Sequence, residues 1–82
     1  MPPRSLVSLG ELRNIINQEL GRQRECLGCE VFGSLEKLTM PYPDGGNWNR
    51  SLAVKGRPSN PQQCGEVAAE VICQVAARFN VE

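Results

Sequence analysis

The chain contains no histidine. That removes the side chain that most readily moves protons near neutral pH. It excludes Ser-His-Asp and Cys-His nucleophile pairs and every His-containing metal site. A charge of one sign is also missing: nine Lys+Arg stand against nine Asp+Glu. A protein that works by bulk cationic attraction to DNA or to acidic membranes is excluded on that count. No apolar run approaches the ~20 residues that span a bilayer. Met1-Pro2-Pro3-Arg4-Ser5 is not followed by an apolar stretch, so no secretory signal is read there and a cytoplasmic setting is expected. Repeats and low-complexity segments are absent as well. What remains is 82 residues, 40% of them hydrophobic and 22% charged, the composition of one globular domain. Only residues 1–4 and the loop 56–59 read as flexible.

Two helices are legible. Ser8-Leu9-Gly10-Glu11 has capping-box spacing, with Val7 and Leu12 at the staple positions. Leu9, Leu12, Ile15, Ile16 and Leu20 follow as one apolar stripe. Gly21 is the expected stop, and Gln23-Arg24-Glu25 offers one further turn. The last helix opens on Asn60 as cap, Pro61 at N1 and Gln63 at N3. Its apolar arc runs through Cys64, Val67, Ala68, Val71, Ile72, Val75 and Phe79, widened by Ala69 and Ala76.

Between them lie two strand patterns. In residues 29–40, Cys29, Val31, Gly33 and Leu35 mark one face, and Leu38 and Met40 fall on the other. This change of phase predicts a bulge or break near Glu36-Lys37. Pro41-Tyr42-Pro43-Asp44-Gly45-Gly46 is a turn in which both glycines are expected to supply positive φ. Trp48, Leu52 and Val54 then alternate with Asn47, Asn49, Ser51 and Lys55 as a period-2 strand. The expected fold is α+β: a two-layer α-β-β-α domain over 1–82, with an antiparallel hairpin on two helices. A third short strand can arise by splitting residues 29–40.

A lone hairpin leaves two open edges. The first expectation is therefore a non-enzymatic interaction or accessory protein that self-associates, as a homodimer or with an unknown protein partner. Trp48 is read as the anchor of the hairpin, its ring N–H bonded to a carbonyl. The turn Asp44–Trp48 is alternatively a recognition loop. A second reading is a nucleic-acid accessory factor. No acidic residue occurs from Gly45 to Gly65, while Arg50, Lys55 and Arg57 do. Asn47, Asn49 and Ser51 would share the polar strand face with Lys55. The α-β-β(-β)-α order resembles a double-stranded-RNA-binding domain. The lysine-rich start of the last helix in that family is here Asn60-Pro61-Gln62-Gln63, so its RNA role is not implied.

The third reading uses thiols. Cys26 and Cys29 form a C-x-x-C, a pattern of zinc sites and dithiol pairs. Cys64 and Cys73, nine apart, face ~180° away from each other on a helix and do not share an ion easily. The pair also follows a helix C-terminus, where the dipole does not activate a thiol. Cys29 and Cys64 are therefore expected in the core, with Cys26 and Cys73 at boundaries, and neither metal nor cofactor is expected. No enzyme is read either. Gly45-Gly46 is no phosphate-binding loop, Glu66 and Glu70 form a solvated i,i+4 pair, and the chain has little room for a pocket of ~300 Å3.

Asp44-Gly45-Gly46-Asn47-Trp48 after a strand, and Arg78-Phe79-Asn80 near the end, resemble small bacterial proteins with D-G-x-N-W and R-F-N motifs. The resemblance spans residues 28–80. It implies the α+β layout and a bacterial cytoplasmic setting, and it brings no activity.

Overall fold

Ser8 opens the first helix as its spacing predicts. In the computed structural model, which describes residues 4–33 and 35–82, α1 spans Leu9–Gly21 and the Ser8 side chain accepts from the Glu11 amide at 3.1 Å. The Glu11 carboxylate meets the Ser8 hydroxyl at 3.2 Å, so the box closes side chain to side chain. Leu12, Ile16 and Leu20 are buried, Ile15 is half-buried and Leu9 stays exposed. The further turn at residues 23–25 is not part of α1; a separate 3₁₀ turn forms at Arg24–Cys26. The second helix, α2, spans Pro61–Arg78, and the Asn60 side chain accepts from the Gln63 amide at 3.1 Å. Phe79 is not the last residue of its apolar arc. It leaves the helix with extended backbone.

The two helices pack on each other over one core. It contains Leu12, Ile16 and Leu20 of α1 and Ala68, Val71, Ile72, Val75 and Ala76 of α2. The antiparallel hairpin lies against α1. It is shorter than the sequence pattern implies: β2 is Glu30–Phe32 and β3 is Ala53–Lys55, with Val31 opposite Val54. The break falls at Gly33, earlier than Glu36-Lys37, and its φ of +96° ends the strand conformation. Pairing resumes as a single bridge, Lys37 to Trp48, flanked by Leu38 N–H to the Asn47 carbonyl at 2.8 Å. Residues 29–40 are thus split as the third-strand alternative has it, but the second half pairs within the same hairpin. Residues 49–52 do not continue a period-2 strand. Asn49 caps the Ser51 amide instead, at 2.9 Å.

A second, parallel sheet was not legible. Ser5–Val7 (β1) pairs with Phe79–Val81 (β4), Val7 opposite Val81, and both valines are buried. Residues 1–3 of the segment read as flexible lie outside the described residues. Arg4 is anchored: its Nε donates to the Ala76 carbonyl at 2.7 Å and its Nη1 to the Asp44 carbonyl at 2.9 Å. In the turn, only Gly45 has positive φ. Gly46 matters for a different reason, because a Cβ there would displace the Arg50 guanidinium from its place beside Asp44.

Candidate functional site

Trp48 is fully buried and its Nε1 donates to the Phe79 carbonyl at 3.0 Å, the anchoring arrangement expected of it. Asn47 lies beside it and is equally committed. Its Nδ2 donates to the Val81 carbonyl at 2.8 Å and its Oδ1 accepts from the Val81 amide at 2.9 Å. Asn80 returns the contact, donating to the Gly45 carbonyl at 3.1 Å. The D-G-x-N-W and R-F-N segments are therefore two halves of one clasp. That geometry commits the Asn47 amide and the Trp48 ring N–H to contacts within the fold.

The polar face proposed for nucleic acid is dispersed in the same way. Arg50 pairs with Asp44 at 2.8 Å and lies over the Tyr42 ring, 4.3 Å from its centroid. The Arg50 hydrogen bond, then the Gly46 amide, hold the Asp44 carboxyl down to about 2. Lys55 pairs with Glu30 across the hairpin at 3.0 Å. Asn47, Asn49 and Lys55 do not share one strand face, since only Ala53–Lys55 is strand. Arg57 alone among these cations has no ion pair among the described residues.

Two features remain. The first is an open strand edge. The Val31 amide donates to Asn17 Oδ1 at 2.8 Å, and Arg13 donates to the Val31 and Gly33 carbonyls. Side chains of α1 thus close the outer edge of β2. Both Val31 main-chain groups point away from β3, so Val54, its register partner, points its N–H and C=O away from β2. Neither group has a partner among the described residues. Beside that edge runs a groove of about 330 Å3, walled by Leu52, Ala53 and Val54 on one side and Gly65, Ala68 and Ala69 on the other. Pro61 and Ile72 add apolar lining, and Arg50 completes one side. The Arg50 Nε is buried without a partner.

The second feature is a thiol cluster that the sequence spacing conceals. Cys26, expected at a boundary, is fully buried. Its Sγ lies 2.7 Å from the Sγ of Cys64, which lies 3.9 Å from that of Cys29. Both members of the C-x-x-C therefore meet Cys64, in the first turn of α2, while Cys73 is exposed. Gly56 makes this possible. With φ at +143°, its missing Cβ leaves room that would otherwise fall 2.8 Å from the Cys29 sulfur. The Cys64 amide is already spent on the Asn60 carbonyl, so the helix end lends this thiol no free N–H. Burial pushes the Cys29 and Cys64 thiols up. Zinc bonds of about 2.3 Å would hold sulfurs about 3.8 Å apart in a tetrahedron, and the Cys26–Cys64 approach is far inside that. Among the described residues no cluster of Cys, Asp or Glu is arranged to hold a metal ion. No described helix is long and apolar enough to cross a membrane. Compared with known proteins, the chain matches no family model, no curated protein and no solved structure.

Proposed function

We propose that this chain is a small non-enzymatic interaction module that binds an extended acidic–apolar segment of a partner along the open edge of β3. The observation that carries this reading is the unpaired N–H and C=O of Val54 beside an apolar groove. Strand addition supplies main-chain hydrogen bonds for affinity and alternate side-chain positions for specificity. A partner residue opposite Val54 would exchange both bonds with it and place its side chain, like that of Val54, on the groove side. An aliphatic side chain suits Ala68, Ala69 and Ile72 there. The residues before and after would turn to the outer face, where Lys55 is exposed and Arg57 follows.

Charge selects the occupant. No carboxylate lies between Gly45 and Gly65, and Arg57 is free of ion pairs among the described residues. A second copy docked edge to edge would offer this edge its own cations and no carboxylate from residues 45–65, which disfavours the homodimer relative to an acidic partner. The test is an NMR titration of 15N-labelled protein with a peptide alternating Glu and Leu, and with its Lys–Leu counterpart. The expected result is shifts over residues 51–55 and 64–69 with the acidic peptide alone, weakening with salt. Val54→Pro removes the outward N–H without breaking a bond to β2 and is expected to abolish binding, with retention of the fold checked against Val54→Ala, which keeps the N–H; exposed Ala69→Glu is expected to weaken binding. Equal shifts with both peptides, or none, would sink the proposal. Shifts over 47–57 with an RNA duplex would put nucleic acid in its place, and a sedimenting mass of two chains would put a second copy there.

A further inference from the structure

We infer that Cys26 and Cys64 are a dithiol site that a small hydroperoxide converts to an intramolecular disulfide, entering through the groove beside β3. Three observations carry this independently of the groove's partner. The two sulfurs already stand 2.7 Å apart, close to the ~2.05 Å of a formed bond. Cys64 lines the groove, as Cys29 does, whereas Cys26 does not, so within the close pair Cys64 meets an entering oxidant first. Cys26 Sγ also reaches the Cys64 carbonyl at 3.3 Å, so its contacts draw it toward Cys64.

The chemistry balances without any other reactant. The Cys64 sulfur attacks the terminal peroxide oxygen. An S–O bond forms, the O–O bond breaks, and the alcohol (or water) leaves with the thiol proton. The Cys26 sulfur then attacks the sulfenic sulfur. The S–S bond forms, the S–O bond breaks, and water leaves with the second thiol proton. Two thiols are oxidised by two electrons and one hydroperoxide is reduced. Cys29, at 3.9 Å from Cys64, is the more distant competitor and stays reduced. Cys73, exposed on α2, is outside the cluster. A hydroperoxide suits the site better than a bulky disulfide. It needs only a terminal oxygen to reach a thiol that is 2% exposed, whereas exchange needs three sulfurs in line.

The experiment treats the folded protein with hydrogen peroxide or an alkyl hydroperoxide, quenches in acid, unfolds and alkylates it. The expected product is a monomer that has lost two hydrogens, takes up two alkyl groups where the reduced chain takes four, and regains all four after reduction. Fragmentation of the linked peptides is expected to join Cys26 to Cys64. Cys73→Ser is expected to behave like the parent chain, and Cys64→Ser to form no internal bond. Persistence of all four thiols, a bond to Cys29 or Cys73 instead, or a crosslink between chains would overturn the inference. The peptide assignment on the parent chain decides the matter even if Cys64→Ser fails to fold.

Discussion

At the scale of single residues, the clasp around Trp48 ties the middle of the chain to its last strand. Trp48→Phe keeps most of the buried surface but leaves the Phe79 carbonyl unpaired, a cost of about 1–3 kcal/mol. Trp48→Ala empties the site as well and is expected to cost about 3–5 kcal/mol. Urea denaturation of the pair separates the hydrogen bond from the packing. Asn47→Ala removes both bonds to Val81, and hydrogen exchange in β4 is expected to accelerate more than in α1. Asp44 gives the acid response its shape. Its pKa is depressed to about 2, chiefly by Arg50, so its contribution is present above the ordinary carboxylate pKa and is lost as pH falls through about 2. Asp44→Asn is expected to flatten that part of the acid limb of a stability–pH profile: its loss relative to the parent chain is full and pH-independent in the neutral region and shrinks as pH falls toward about 2. Sequence reasoning reached Trp48, because a lone indole opening a strand needs a partner for its N–H. It misread Asn47 as a solvated strand residue, because its partner Val81 is 34 residues away and in a strand too short for periodicity to reveal.

At the scale of elements, the helices and the antiparallel hairpin were legible, while the strand ends and the β1–β4 pairing were not. Ser8 and Asn60 cap by local contacts three residues long, which spacing alone reveals. The strands are three residues each, and their ends are set by tertiary events. Gly33 stops β2 through its left-handed φ, and Asn49 turns the chain before β3. The groove and its open edge follow from register: only the knowledge that α1 occupies Val31 shows which way Val54 faces. Gly56 belongs to this scale too. Gly56→Ala adds a Cβ 3.0 Å from the Cys29 Cα and strains a positive φ. It is expected to destabilise the protein by about 1–3 kcal/mol and to perturb amide signals of residues 28–30, which NMR would register.

Considered as a whole molecule, two segments far apart in the chain, residues 26–29 and Cys64, converge on the thiol cluster. Periodicity placed Cys64 in the core and could not say which other cysteine shares its neighbourhood. Closing a bond between Cys26 and Cys64 would cross-link a loop of 38 residues. Chain-entropy arguments put the stabilisation at about 4 kcal/mol. A urea midpoint that moves up after peroxide treatment and returns with reductant is the expected outcome; an unmoved midpoint in a fully cross-linked sample would contradict it.

The parallel pairing of β1 with β4 has a mechanical consequence. The chain enters at Ser5 and leaves at Val81, at opposite ends of two strands that run the same way. Tension applied through the two ends slides one strand along the other, so every bond between them carries load together rather than parting one by one. Stretching between residues 4 and 82 should meet a higher rupture force than stretching between residues 33 and 53, where the hairpin peels open from one end.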